Sequence, residues 1–237
     1  MIKLCSFDVW NTLLNLNLML KLFGKSLSEL TGKSFENISE EIMRVRRDIK
    51  RLRGECKISA ESILDYSQKL LAEKLQIDSE LVKRATAKAV LKMDKNIVFE
   101  ETLNVLRKLR EKNLRIIIIG NVMFWPSPYT RLILERFHVA DYIDKQFYSD
   151  ELKAYKPMKE IFLKPLKYFS IKPIEAIHVG DTREEDYIGA LNAGLYAAWI
   201  NPHGRFKKAN EKGYVIASLE NVPEILKEIN KMSSYPQ

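Results

Sequence analysis

Four consecutive isoleucines at positions 116–119 constrain the fold of this chain more than any other feature. β-branched side chains are crowded on a helix and pack well on a pleated sheet, so the run favours a strand over a helix. The lack of polar residues within the run indicates that the strand is buried. We therefore predict a buried strand over residues 114–119.

Apolar segments and helical patterns alternate along the chain after residue 96. Strands that alternate with helices predict an α/β fold with a doubly wound, mainly parallel sheet covered on both faces. The predicted strands are residues 2–9, 114–119, 142–148, 176–179, 196–200 and 214–216. The predicted helices are residues 100–113, 128–137, 159–169, 184–193 and 223–231.

Residues 13–94 differ in character, because they contain little glycine and their apolar residues recur at helical spacing. Helices are predicted over residues 34–53, over 59–75 with Ser59 as N-cap, and over 78–93 with Asp78 as N-cap. Such helices can form a small bundle. We predict two domains. One is a core of residues 1–14 and 96–237, and the other is an all-α helical domain at residues 15–95.

The balance of 39 basic and 31 acidic residues gives a net charge of +8. A basic excess can attract anions, but a solvated Lys-rich surface is the simpler interpretation. The predicted helix 34–53 contains a basic run of Arg44, Arg46, Arg47, Lys50, Arg51 and Arg53. Only Arg44, Arg47 and Arg51 share one helical face, so we expect a solvated helix side. No nucleic-acid-binding module is recognisable, so we expect no nucleic acid partner. For the oligomeric state, the sequence is compatible with a monomer and with a homodimer.

The two cysteines, Cys5 and Cys56, form no CxxC pair. We therefore expect neither a disulfide framework nor a zinc site, and a reduced, cytoplasmic setting. No apolar run approaches the ~18 residues that a membrane span needs, and the chain begins with a strand rather than a signal peptide. We expect no membrane partner.

Polar and charged residues gather at the ends of predicted strands and in one loop. The carboxyl ends of parallel strands meet at one edge of a sheet, where open α/β folds bind ligands. Taken singly, each residue has a simpler explanation, because aspartates often cap helices and lysines are common on surfaces. Their joint order predicts one crevice surrounded by carboxylates and an ammonium group. The residues are Asp8, Gly120, Asn121, Lys156, Asp181 and Asp186.

The order of these motifs resembles that of the haloacid dehalogenase (HAD) superfamily. Residues 7–13, FDVWNTL, are similar to its first motif. The pair Lys156-Pro157, and residues 178–181, HVGD, followed by Asp186, resemble its later motifs. The helical insertion after the first motif resembles the superfamily's cap. The resemblance covers the whole chain and implies a hydrolase with a Rossmann-like core and a helical cap.

The resemblance implies that Asp8 is a nucleophile, which attacks the phosphorus of a small phosphorylated substrate and forms an aspartyl-phosphate. Mg²⁺, held by hard oxygen ligands, supplies the counter-charge that lets two anions approach. The implied ligands are Asp8, Asp181, the backbone carbonyl of Trp10, and Asp186 either directly or through water. Lys156 neutralises Asp8 and the phosphate, and we expect it to lower the pKa of Asp8.

The implied phosphate-binding groups are the Thr12 hydroxyl and the backbone amides of Gly120 and Asn121, at a helix N-terminus. The second motif of the superfamily normally ends in serine or threonine. In this chain it ends in Gly120, so one hydroxyl donor is missing.

A second departure lies at Trp10. Most phosphatases of the superfamily carry an aspartate there, two residues after the nucleophile, as general acid and base. An indole cannot transfer that proton, a contribution typically worth ~10²–10⁴ in rate. Dehalogenases of the superfamily carry an aromatic residue at this position, although the segment from Asp181 to Asp186 resembles the metal-binding form.

Three functions therefore stay open. A phosphatase acting on a small phosphate monoester is favoured. A dehalogenase or a phosphonate-type hydrolase, which uses a cap lysine, is the second, and a catalytically silent binding protein is the third. His178 is predicted to be structural, and Glu184 and Glu185 to belong to a first helical turn. Residues 123–126 fit either a pocket wall or a core-packed loop.

Overall fold

The computed structural model describes residues 1–232 of the chain. A seven-stranded sheet has the order β3-β2-β1-β4-β5-β7-β6. All neighbouring strands are parallel except β6 and β7, which are antiparallel. The strands are β1 Leu4–Phe7, β2 Arg115–Gly120, β3 Lys145–Tyr148, β4 Ala176–Gly180, β5 Tyr196–Ile200, β6 Lys207–Lys208 and β7 Gly213–Ile216.

Ten α-helices surround this sheet in the described part of the chain. They are α1 Leu16–Thr31, α2 Phe35–Gly54, α3 Ile63–Leu75, α4 Ser79–Leu91, α5 Thr102–Arg110, α6 Ser127–Arg136, α7 Ser149–Leu152, α8 Lys159–Tyr168, α9 Gly189–Asn192 and α10 Val222–Met232. A π-helix spans Arg183–Ile188, and 3₁₀ turns span Lys95–Ile97, Ala140–Tyr142, Pro173–Glu175 and Leu219–Asn221. None of the helices described within residues 1–232 has the length and hydrophobicity of a bilayer-spanning segment.

Successive side chains of β2 enter two different cores, as expected for a strand covered on both faces. Ile116 and Ile118 belong to a cluster with apolar residues of α5, α6 and α10. Ile117 and Ile119 belong to a second cluster with residues of α8 and α9. This arrangement confirms the predicted α/β fold with helices on both faces of a mainly parallel sheet.

The strand β1 lies at the centre of the sheet, between β2 and β4. The chain extends from β1 through β2 to β3 on one side and then returns through β4 to β5 on the other. The direction of winding therefore reverses next to β1, at the position where open α/β sheets form a ligand-binding crevice. Phe7, the last residue of β1, pairs with Ile118 on one side and Val179 on the other. Asp8 thus emerges in the middle of the carboxyl edge.

The structure differs from the prediction in four elements. The helix expected from Ser59 begins at Ile63, because Ser59 instead exchanges a 2.8 Å hydroxyl hydrogen bond with Ser62 in the preceding turn. The strand expected over 142–148 begins at Lys145, after a 3₁₀ turn. The helix expected over 184–193 is a π-helix followed by α9. The two-residue edge strand β6, Lys207–Lys208, was not predicted.

Helices α1–α4 pack on one another, and residues of α1 and α2 line the crevice at the carboxyl edge of the sheet. The packing side of α2 is a stripe of buried apolar residues, Ile38, Ile42, Val45 and Ile49. Ser34 caps α2 by accepting a hydrogen bond from the Asn37 amide, and the predicted cap Asp78 accepts one from Glu80. We refer to residues 15–95 as the helical segment. Its treatment as a separate domain stays a prediction.

Two hydrogen bonds join the helical segment to the loop that follows β2. Ser67 Oγ donates to the Met123 carbonyl at 2.6 Å, and Gln68 Nε2 donates to the Phe124 carbonyl at 2.8 Å. Tyr155 Oη donates a third bond, to the Ile58 carbonyl at 3.0 Å. These contacts close the helical segment over the crevice beside Asp8.

Candidate active site

Three carboxylates from two strand ends and one helix meet at the carboxyl edge of the sheet. Asp8 follows β1, Asp181 follows β4, and Asp186 lies in the π-helix. One ligand atom from each lies within 4.8 Å of the others. Asp8 and Asp186 are buried, and Asp181 is half-buried. We call this set the carboxylate cluster, and its hard oxygen donors are the type that Mg²⁺ prefers.

Lys156 completes the cluster from the loop after α7. Its Nζ lies 2.5 Å from Asp8 Oδ1 and 2.6 Å from Asp186 Oδ1. The same nitrogen donates to the Ile119 carbonyl at 2.9 Å. An ammonium group has three protons to donate, so this buried lysine has a partner for each. Its side chain is therefore held in one position beside Asp8.

Asp186 is held by groups on both sides of its carboxylate. His178 Nε2 lies 3.1 Å from Oδ1, and the Thr182 amide donates to Oδ2 at 2.9 Å. His178 Nδ1 lies 2.9 Å from Ser6 Oγ, so both ring nitrogens have partners, in accord with the structural role predicted for this histidine. A Cβ at Gly180 would lie 2.5 Å from Asp186 Oδ2. Glycine is therefore required where this carboxylate approaches the backbone.

Burial and mutual repulsion change the acidity of the cluster. Burial raises the pKa of Asp8 to about 7, and the nearby charges of Asp186 and Asp181 add to the rise. Lys156 lowers the pKa of Asp8, as predicted, but it does not reverse the rise that burial causes. Burial likewise raises the pKa of Asp181 to about 6. Burial alone would raise the pKa of Asp186 too, but Lys156 and His178 lower it overall.

The predicted phosphate-binding residues occupy different surroundings. Thr12 is buried, and its Oγ1 has no hydrogen-bond partner among residues 1–232. Gly120 is paired with Tyr148 of β3, and a Cβ at Gly120 would lie 2.7 Å from that ring. The tyrosine ring therefore fills the space that a serine or threonine side chain would need. The expectation of a helix N-terminus here was wrong, because α6 begins only at Ser127.

Asn121 holds the Lys156 loop through its side chain. Its Oδ1 accepts from the Lys156 amide at 2.9 Å, and its Nδ2 donates to the Lys156 carbonyl at 3.1 Å. The same Nδ2 donates to Glu185 Oε2 at 3.1 Å. The amide side chain thus positions the lysine, a role that the sequence did not reveal.

The turn after Asp8 brings Trp10 and Asn11 to the crevice. Asn11 has a φ of +60°, a left-handed conformation that asparagine tolerates better than most residues. Its side chain accepts a hydrogen bond from the Leu16 amide at 3.2 Å. The Trp10 ring packs edge-on against Trp125 at 5.4 Å between ring centroids. The Trp10 carbonyl as a metal ligand stays a prediction.

A cavity of about 80 Å³ lies between the carboxylate cluster and the helical segment. The segment 123–126 supplies part of its wall, since Met123, Phe124 and Trp125 line it. Phe124 and Trp125 are also buried in the core, so both interpretations of this segment apply.

Several residues that line the cavity were not predicted from the sequence. They are Asn11, Leu16, Arg46, Lys50, Arg53, Thr182 and Glu185. The expectation that the basic run is a solvated helix side holds for Arg44, Arg47 and Arg51, which are exposed. It was wrong for the opposite side of α2, where Arg53 is buried and its Nη2 lies 3.1 Å from Glu185 Oε1. We call Arg46, Lys50 and Arg53 the cationic face of α2.

Comparison with known proteins identifies relatives of this chain. A glyceraldehyde 3-phosphate phosphatase of Pyrococcus furiosus is 34% identical over 40% of this chain and 41% of its own length. The chain spans between 41% and 54% of the length of the first curated relatives that it matches. The crystal structure of a HAD phosphatase from Thermococcus onnurineus has 26% identity and a TM-score of 0.66, covering 95% of this chain and 98% of that one.

A 2-haloacid dehalogenase from Pseudomonas syringae shares the fold as well, at 22% identity and a TM-score of 0.66, with coverage of 96% and 99%. The fold therefore does not separate phosphatases from dehalogenases. The family of haloacid dehalogenase-like hydrolases matches residues 2–194, which is most of the chain. Together with the motif order and the sheet topology, this match shows that the chain belongs to the haloacid dehalogenase-like hydrolases.

Proposed function

We propose that this protein is a Mg²⁺-dependent phosphatase that hydrolyses a small phosphate monoester through an aspartyl-phosphate on Asp8. The observation that carries the proposal is the carboxylate cluster, with three ligand atoms within 4.8 Å of one another and Lys156 beside the nucleophile. A relative and a structural neighbour that are named as phosphatases support it.

The residues present fit a divalent cation. In the proposal Asp8, Asp181 and the Trp10 carbonyl hold Mg²⁺, and Asp186 contributes directly or through water. Burial raises the pKa of Asp8 and Asp181, and the repulsion among three carboxylates beside a single buried lysine adds to the rise. When bound, Mg²⁺ supplies the counter-charge that a dianionic ester needs beside an aspartate.

The side chains of the protein itself orient the reaction. The ionised Asp8 carboxylate attacks phosphorus, the ester P–O bond breaks and the alkoxide leaves. Lys156, fixed by three hydrogen bonds, holds the carboxylate in place and favours its ionised form. The unpartnered Thr12 hydroxyl and the amides of Gly120 and Asn121 bind phosphate oxygens. Water then cleaves the aspartyl-phosphate and releases inorganic phosphate.

Trp10 limits the substrates that react quickly. An indole cannot protonate a leaving alkoxide, so esters of acidic alcohols should react faster than esters of ordinary alcohols. The helical segment, residues 15–95, acts as a cap that excludes water above the core of residues 1–14 and 96–237. The cytoplasmic setting and the choice between monomer and homodimer stay predictions.

Hydrolysis of p-nitrophenyl phosphate tests the proposal, because its leaving group needs little acid help. We expect phosphate release with Mg²⁺, none with EDTA, and none from Asp8→Asn, whose amide is nearly isosteric but cannot attack phosphorus. Asp141→Asn, at an exposed turn, is the matched control and should retain activity. Full activity of Asp8→Asn would exclude the nucleophile assignment, and a thermal melt checks that the variant is folded.

Dehalogenation is the second candidate, and Trp10 is the observation that favours it. Halide release from 2-chloropropionate in the presence of EDTA, with no hydrolysis of p-nitrophenyl phosphate, would identify a dehalogenase and overturn the phosphatase proposal. The absence of both activities would indicate a catalytically silent protein.

A further inference from the structure

The cationic face of α2 carries three charges towards the cavity, and one of them forms an ion pair with a carboxylate. Arg53 pairs with Glu185 at 3.1 Å. The charge of Lys50 acts on Asp181, where it opposes the rise in pKa that burial causes. Lys50 itself is exposed to solvent, which satisfies its ammonium group.

Arg46 forms no hydrogen bond and no ion pair within residues 1–232, and its Nε is buried. The charges of Asp181 and Glu185 act on it, but neither carboxylate pairs with it directly. Seven residues separate it from Arg53, which is about 10 Å along the helix axis. Burial lowers the pKa of Arg46, and the nearby charge of Arg53 lowers it further. A charge in such surroundings is costly unless an anion pairs with it.

We propose that Arg46 binds a second anionic group of the substrate, a carboxylate or a further phosphoryl group, and so selects short phosphorylated acids over neutral phosphate esters. This inference rests on the phosphatase function proposed above and names its substrate class. A guanidinium presents paired donors that match a carboxylate or phosphoryl group in two parallel hydrogen bonds.

The position of Arg46 favours a second group over the reacting phosphoryl group itself. The reacting group must lie against Asp8, and the charges that shift the pKa of Asp8 are those of Lys156, Asp186 and Asp181. The pKa of Arg46 is shifted by the charges of Arg53, Asp181 and Glu185, and of these only Asp181 also acts on Asp8. The aromatic wall formed by Trp10, Phe124 and Trp125 lines the same cavity. The short carbon chain that joins the two anionic groups packs against this wall.

Two esters with the same three-carbon skeleton test the proposal. 3-Phosphoglycerate ends in a carboxylate and glycerol 3-phosphate ends in a hydroxymethyl group. We expect a higher kcat/KM for the acid. We further expect Arg46→Gln to reduce the ratio of the two kcat/KM values by ~10–100-fold, the usual effect of losing hydrogen bonds to a charged group. Arg46→Lys should retain part of the preference for the acid, because lysine keeps the positive charge but lacks the paired donors of the guanidinium.

Arg47→Gln is the matched control, because Arg47 neighbours Arg46 on the same helix but is exposed. It should leave the ratio unchanged. A second pair of substrates is 1,3-propanediol bisphosphate and propyl phosphate. If Arg46→Gln lowers the kcat/KM ratio more for this pair than for 3-phosphoglycerate and glycerol 3-phosphate, the second group is phosphoryl. If it lowers the ratio more for the 3-phosphoglycerate pair, the second group is a carboxylate. Either result supports the proposal.

A binding measurement separates this inference from the proposed function. Calorimetry on Asp8→Asn with 3-phosphoglycerate and glycerol 3-phosphate, with and without Arg46→Gln, gives the ratio of Kd values without turnover. If Arg46→Gln leaves the ratio of the two Kd values unchanged, the inference is overturned, even if p-nitrophenyl phosphate is hydrolysed. An equal loss of binding for both esters also overturns it, because Arg46 would then contact the transferring phosphoryl group. A thermal melt of each variant excludes loss of the fold.

Discussion

The carboxylate cluster and the cationic face of α2 line opposite sides of one cavity, but they differ in how far their charged groups are paired within the protein. The ammonium of Lys156 has three acceptors at hydrogen-bond distance, two of them carboxylate oxygens. Arg46, on the other side, has none within residues 1–232. The buried ammonium of the first region is fully paired before any ligand arrives, and the guanidinium of Arg46 in the second is not. This difference supports the proposal that the core carries out the chemistry and that α2 recognises the substrate.

The largest expected effect is that of removing the charge of Lys156. Lys156→Met leaves buried carboxylates without their counter-charge, so we expect a loss of about 3–5 kcal/mol in the free energy of unfolding. Lys50→Met removes the same charge from α2, where the side chain is exposed, and should cost less than about 1 kcal/mol. Urea unfolding of the metal-free proteins measures both. Equal losses would contradict the distinction between the two regions.

A smaller effect is expected from a methyl group placed beside Asp186. In Gly180→Ala the new Cβ lies 2.5 Å from Asp186 Oδ2 and 2.6 Å from Asp186 Cβ, so the carboxylate must move away from its partners. We expect a loss of about 1–3 kcal/mol and a large fall in metal-dependent hydrolysis. Gly54→Ala is the control, because no atom of residues 1–232 outside its chain neighbours and its own helix backbone lies within 4 Å of the added Cβ. Normal activity in Gly180→Ala would show that the position of Asp186 is not critical.

The smallest effect concerns pH. Folding raises the pKa of Asp8 from 3.8 to about 7, so in the metal-free protein this group stabilises the fold at low pH. That contribution is lost as the pH rises through about 7. Mg²⁺ needs the ionised carboxylates, so its affinity should change in the opposite direction and fall roughly tenfold between pH 7.5 and pH 6. Calorimetric titration with Mg²⁺ measures this. A flat profile would show that the cluster does not bind the cation.

The strand ends of the site were predictable because their positions follow from local patterns. A buried apolar segment that stops at Asp8 and another that stops before Asp181 place both residues at one edge of any parallel sheet. The structure brings both together with Asp186 and Lys156. The chain order alone therefore contained most of the carboxylate cluster.

The contribution of α2 was not predictable in the same way. Basic residues lie on both sides of its apolar stripe, and only the packing of α2 over the sheet decides which side turns inwards. Arg46 and Lys50 each follow a buried residue of that stripe, Val45 and Ile49, and this spacing was the available signal. Glu185 was missed for a different reason. The π-helix has a wider turn than an α-helix, so helical spacing misplaces its side chains.

The contact between Gly120 and Tyr148 couples two neighbouring positions of the sheet. A serine or threonine at position 120 would place its Cβ 2.7 Å from the tyrosine ring. A smaller residue at position 148 alone would leave a hole in a packed interior, which is itself destabilising. Either single substitution therefore destabilises the fold, so a hydroxyl-bearing residue at position 120 requires a compensating change at position 148.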